Sequence, residues 1–157
     1  MNPLTSKILL LASLTALLLG CESTLKKDAP FAREADWISP MQAIFMAAEA
    51  APAAVEGAFI MEVRGSGSQN GLIYLNSESD YRDQRSLTVS ISPRAARQLA
   101  QRFGQPPRRA LEGERILVQG AAARTRIDFI SANGWPSGKY YYQTHVRVTD
   151  GRQIQVL

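Results

Sequence analysis

The chain of 157 residues carries one histidine, His145, and one cysteine, Cys21. One of each cannot build a Cys/His zinc cage, and a lone cysteine excludes an internal disulfide framework. His145 is flanked at alternate positions by Gln143 and Arg147, neither of them a metal ligand by habit, so it reads as a surface or hydrogen-bonded imidazole. Asp80 and Asp83 bracket Tyr81 and Arg82. Paired carboxylates can do acid–base work, but with Arg82 and Arg85 alongside, ordering of the loop by ion pairs is the simpler reading. Glu78 and Asp80 lack the regular spacing of oxygen ligands that calcium loops show. Two groups remain with binding chemistry. Tyr81 with Arg82 and Arg85, and Lys139 with Tyr140, Tyr141 and Tyr142, combine aromatic faces with cations. Such faces stack on rings, and such cations neutralise anions. Tyr140 and Tyr142 should point away from Tyr141 if the segment is a strand. A Gly-x-x-x-x-Gly-Lys phosphate loop and a Gly-x-Ser-x-Gly elbow are both missing from the sequence.

The first residues explain where such a chain would work. Lys7 is followed by twelve uncharged, mostly aliphatic residues from Ile8 to Leu19. Twelve are too few to cross a hydrocarbon core as a helix, which needs about 20, and the pattern is that of a secretory signal. It ends in Leu18-Leu19-Gly20-Cys21, which resembles the lipobox of bacterial lipoproteins. The resemblance implies a diacylglyceryl thioether on Cys21, cleavage before it, and acylation of the new amine, with palmitate as a typical chain. The covalent lipid is the only added group expected; no cofactor or metal is. Several acyl chains, each methylene contributing ~0.8 kcal/mol, give an essentially permanent membrane anchor. Glu22 after the cysteine implies, within that family, passage to the outer membrane on its periplasmic side.

The mature chain divides by charge. Residues 21–56 hold three basic and six acidic groups, residues 57–157 fourteen and eight. The expected organisation is a signal peptide (1–20), a tether (21–36), a lead-in helix (37–57) and a basic domain (58–157). Ser39-Pro40-Met41-Gln42 is a capping box with proline at the first helical position, and Ile38, Met41, Phe45 and Ala48 form an apolar stripe. From Ala58 the period changes to two. Phe59, Met61 and Val63 alternate with Ile60, Glu62 and Arg64, residues 65–71 read as a turn, and residues 72–75 as a second strand. A polar loop spans residues 76–85, and Leu87, Val89 and Ile91 mark the third strand. Ser92-Pro93 opens a helix with Ala95, Leu99 and Phe103 on one face, Arg94, Arg97 and Arg102 largely away from it, and Gly104 as its stop. Residues 105–109 read as a loop, Ile116 and Val118 as a fourth strand ending at Gly120, and residues 124–129 as a further alternating run. A long strand over residues 140–149 and an Asp150-Gly151 hairpin turn lead into residues 152–157.

Three strands, a helix and then further strands is the order of the oligonucleotide/oligosaccharide-binding fold. Residues 58–157 also resemble recurrent bacterial domains of this type in motif order. The carriers are Leu75-Asn76-Ser77, Asp80-Tyr81-Arg82, residues 87–91, the Gly-x-x-Ile-x-Val-x-Gly run from Gly113 to Gly120, and Ile154-Gln155-Val156-Leu157. Ser77 and Leu87 stand where aromatics are common in those domains, and residues 121–139 read as an insertion before the last strands. The resemblance implies a mainly β, small Greek-key barrel with one helix between its third and fourth strands. The expectation for function is a noncatalytic binding module for an envelope partner or an anionic ligand. Tyr74, Tyr81, Arg82 and Arg85 are its candidate contact residues. A nucleic-acid-binding domain is the first alternative, disfavoured in a periplasm that holds little nucleic acid. A small accessory enzyme is the second.

Overall fold

The computed structural model describes residues 33–157. The signal segment, Cys21 and the tether up to residue 32 lie outside the described residues. The described chain is mainly β. A short 3-10 turn (Glu34–Asp36) leads into β1 (Trp37–Ile38), α1 (Pro40–Ala50), β2 (Val55–Glu62), β3 (Gly65–Gln69), β4 (Leu72–Asn76) and β5 (Leu87–Ile91). Then follow α2 (Pro93–Phe103), α3 (Pro107–Leu111), β6 (Arg115–Ile130), β7 (Pro136–Val148), a second 3-10 turn (Gly151–Gln153) and β8 (Ile154–Val156).

The strands form one mixed sheet in the order β1-β2-β6-β7-β5-β4-β3, with β8 on the edge of β6 opposite β2, the edge that β7 takes further along. β1 runs parallel to β2, and β5 parallel to β7; the other pairs are antiparallel. The path does not close by hydrogen bonding. Its β2 and β3 members are nevertheless consecutive in the chain, joined only by Val63 and Arg64.

One core lies on one face of this sheet. Leu87, Val89 and Ile91 are fully buried with Ile116 and Val118, as their period of two requires. Phe59, Met61 and Val63 of the β2 run join them. α2 closes the core with Ala95 and Leu99, and Phe103 packs on it half-buried. Its ends match the sequence signals: Ser92 Oγ accepts from the Ala95 N–H, and Gly104 takes the left-handed φ of 69° that favours glycine. α1 starts as its capping box dictates, with Gln42 Oε1 accepting from the Ser39 N–H at 2.9 Å.

Several expectations are corrected. The buried face of α1 is Ala43 and Ala47, whereas Met41 and Phe45 of the expected stripe are 56% and 63% exposed. The helix packs against β2 and β6, and small side chains let its axis come close where bulky ones would not fit. The expected turn over residues 65–71 is mostly strand β3. Only Asn70 and Gly71, both with positive φ, make the turn. Arg94, Arg97 and Arg102 are exposed, away from the buried Ala95 and Leu99 as expected, and the Arg102 guanidinium reaches across to donate to the carbonyls of Gly151 and Ile154, where partial burial lowers its pKa. The expected loop at residues 105–109 includes the start of α3, with Pro107 at its first position. The fourth strand does not end at Gly120 but runs on to Ile130. Residues 121–139 are therefore not an insertion before the last strands; they extend β6 and begin β7. Asp150-Gly151 makes no hairpin. The Asp150 carboxylate caps a 3-10 turn that carries β8 to β6 instead of back along β7.

Candidate functional site

The face of the β4–β5–β7 sheet opposite the core holds the polar half of each strand's alternation. The registers align Asn76 of β4, Thr88 of β5, His145 of β7 and Ala123 of β6 in one cross-strand row. The adjacent row, Leu75, Val89, Val146 and Ala122, is buried in the core. A cavity of about 290 Å³ opens over the polar face. Tyr74, Tyr141 and Tyr81 supply its aromatic surface, β3 supplies one side, and Ile127 of β6 borders it near Tyr141. Gly67 lies opposite Tyr74, and a Cβ placed on it would meet nothing within 4 Å. The glycine leaves that space to the cavity.

A hydrogen-bond chain fixes the cavity's polar side. Gln143 Nε2 donates to the Tyr81 carbonyl at 2.7 Å and to the Tyr141 hydroxyl at 3.1 Å. A carbonyl only accepts, so the amide orientation of Gln143 is set. Its Oε1 therefore faces His145, 2.8 Å from Nε2, and the imidazole must donate from that nitrogen. Nδ1 is left as the acceptor of a neutral ring. Burial agrees with neutrality, holding the His145 pKa down at about 4 against an ordinary 6.5. Tyr74 meets the imidazole edge-on, centroids 6.2 Å apart. Thr88 Oγ1 donates to Asn76 Oδ1 at 2.9 Å. The Tyr141 pKa is raised, chiefly by burial, with Tyr81 and Asp80 adding to the effect and Arg82 opposing it. Its hydroxyl keeps its proton and can donate it while accepting from Gln143.

Among the described residues no Asp, Glu, Lys or Arg lines this cavity. It offers aromatic surface and uncharged donors and acceptors, the equipment that orients a polar ligand without charge pairing.

The candidate contact residues take different places. Tyr74 and Tyr81 line the cavity. Arg82 stands outside its lining, with its guanidinium 4.8 Å from the Tyr81 ring centroid. Arg85 is committed to Asp83, Nη2 to Oδ2 at 2.7 Å, and this partner holds the Asp83 carboxyl at about 2. Asp80 Oδ1 accepts from the Arg82 N–H. These bonds order the loop over residues 77–86, and neither carboxylate lines the cavity that holds His145. Glu78 pairs with Arg64. Among the described residues no group of three or more His, Cys, Asp or Glu is placed to hold a metal ion. Cys21 lies outside the described residues. Asn76, Thr88, Gln143 and the β3 side of the cavity were not anticipated from the sequence. The available signal was a set of polar residues at alternate positions in strands whose other positions are apolar.

No protein-family model matches the chain, and no curated protein matches it in sequence. Among the described residues no helix is long and apolar enough to cross a membrane.

Proposed function

We propose that the protein is a lipid-anchored envelope module that holds a ligand or partner segment in the tyrosine-lined cavity without chemically changing it. The anchor is the acylated Cys21, and the site faces the periplasm from the outer membrane. The domain is an oligonucleotide/oligosaccharide-binding-like Greek-key barrel of the partly open kind. Support for that topology comes from the parallel β5–β7 pair, the position of α2 between β5 and β6, and the direct succession of β2 and β3.

One observation carries the binding reading: the Tyr81–Gln143–His145 chain fixes a charge-free, aromatic-walled cavity. A ligand with an uncharged hydrogen-bonding segment fits the interior, and an anionic group on the same ligand would meet Arg82 near Tyr81. The two alternatives rank lower on the same geometry. Nucleic acid would want cations among the lining residues, and acid–base chemistry would want Asp80 or Asp83 beside His145.

The test is crosslinking in intact envelopes with the full chain, wild type against Tyr74→Ala combined with Gln143→Ala. Partner recovery should be lost while the protein still reaches the membrane. Unchanged recovery from a folded variant would remove the cavity from the function.

A further inference from the structure

The longest element pair outgrows the sheet. β2 stops pairing with β6 at Ala122, and β5 pairs with β7 only from Thr144 onward. Among the described residues, 125–130 and 136–143 therefore have only each other as strand partners. At ~3.3 Å per residue, this two-stranded arm extends roughly 20 Å. Two-stranded ribbons are marginal by themselves, and this one is held by side-chain stacks. Arg124 lies 3.9 Å from the Tyr142 ring centroid and Arg126 4.2 Å from that of Tyr140. Phe129 packs on Tyr141 with centroids 5.3 Å apart, on the opposite face.

The end of the arm is apolar and in water. Trp135 is 72% exposed, Ile130 63% and Phe129 45%. The Ser131 N–H bonds the Trp135 carbonyl at 2.9 Å, so the tip is a defined turn. Behind it stand Arg124, Arg126 and Lys139, with Asp128 the one carboxylate and already paired to Arg126 at 2.7 Å.

We propose that the arm docks on an anionic bilayer surface, inserting Trp135, Ile130 and Phe129 at the headgroup level. Tryptophan with flanking aromatics is the chemistry of the membrane–water interface, and the cations behind the tip complement anionic headgroups. The arrangement concentrates apolar groups at the distal end and charge behind them, as shallow insertion requires. A nucleic acid would use the Arg–Tyr face but would leave Ile130 and Phe129 unexplained. The chain preceding the structure brings a bilayer within reach. Between Cys21 and Arg33 twelve peptide links allow at most roughly 40 Å. That tether uses the lipid-anchor reading, whereas the arm's composition does not.

The chain has two tryptophans, Trp37 and Trp135. Full chain carrying Trp37→Phe would be reconstituted in vesicles of phosphatidylethanolamine and phosphatidylglycerol with brominated acyl chains. Trp135 emission should shift to the blue, be quenched by the bromines, and become shielded from aqueous iodide. The quenching should weaken in phosphatidylcholine vesicles and in Lys139→Gln. Should Trp37→Phe fold poorly, the difference between wild type and Trp135→Phe gives the same reading. An iodide-accessible, bromine-insensitive Trp135 on vesicles overturns the proposal. So does shielding that needs no lipid and rises with protein concentration, which would make the tip a contact between copies. Shielding only by added single-stranded oligonucleotide would assign the arm to nucleic acid instead. Loss of cavity crosslinks leaves this result untouched, so the two readings fail separately.

Discussion

His145 is the only imidazole in the chain, so its titration can be followed without assignment ambiguity. Burial holds its pKa at about 4 in the folded protein, against 6.5 for the ordinary group. The unfolded chain therefore takes up a proton, as pH falls through this window, that the folded chain refuses. Linkage then makes stability rise with pH here. The contribution is fully present above pH 6.5 and is lost as pH falls toward about 4. With these two values the loss between pH 7 and pH 5 is about 2 kcal/mol, and below pH 4 it reaches about 3 kcal/mol. The half-buried carboxylates of Asp83 and Asp150, each held down to about 2 by hydrogen bonds from a neighbouring arginine, stay charged across this window. Urea unfolding at pH 7 and pH 5 should show this loss in the wild type and not in His145→Gln. The difference between pH values counts, so an intrinsic cost of the substitution cancels. The imidazole resonance read by NMR should move with a midpoint near 4. A midpoint at or above 6.5, or the same pH dependence in both proteins, would refute the buried, Gln143-bonded imidazole and with it the fixed polarity of the cavity.

Val89→Asp puts an unpaired carboxylate at a fully buried position and should cost about 3–5 kcal/mol in a urea or thermal melt. Ala47→Leu should overpack the space beneath α1 and cost about 1–3 kcal/mol, whereas Phe45→Ser on the exposed face should change stability by less than about 0.5 kcal/mol. Tyr81→Ala with Arg82→Ala should reduce crosslinked envelope partners while costing no more than about 1 kcal/mol of stability, because the stacked pair is exposed. Cys21→Ala should leave an unprocessed or soluble chain, checked by mass spectrometry of the membrane fraction; a mature start elsewhere than residue 21 would contradict it.

What the sequence determined by itself was local. The Ser39-Pro40 and Ser92-Pro93 starts, the Gly104 stop and the alternation of Leu87, Val89 and Ile91 are signals read within one or two turns or one strand. They hold because capping hydrogen bonds and the pleat involve only near neighbours. Tyr74 and Tyr81, which line the cavity, stood out in the sequence because aromatic side chains in a strand and a polar loop are conspicuous by type alone. Tertiary structure decided which face of each element meets which partner. Hydrophobicity alone pointed Met41 and Phe45 inward, but the close approach of α1 to the sheet admits only Ala43 and Ala47. Gly65 to Gln69 has turn composition and yet is a strand, because β4 offers a matching edge of backbone donors and acceptors. Asp150-Gly151 has hairpin composition, but the edge of β6 opposite β2 is free before β7 begins to pair at Ala122, and β8 takes that edge. The cavity was the least legible part. Thr88 and His145 face each other only through the parallel β5–β7 register, and Gln143 is fixed by a carbonyl sixty-two residues earlier. Such proximity arises from strand order, which no window of sequence encodes, because each ladder selects its partner only after distant segments have been brought together over the shared core.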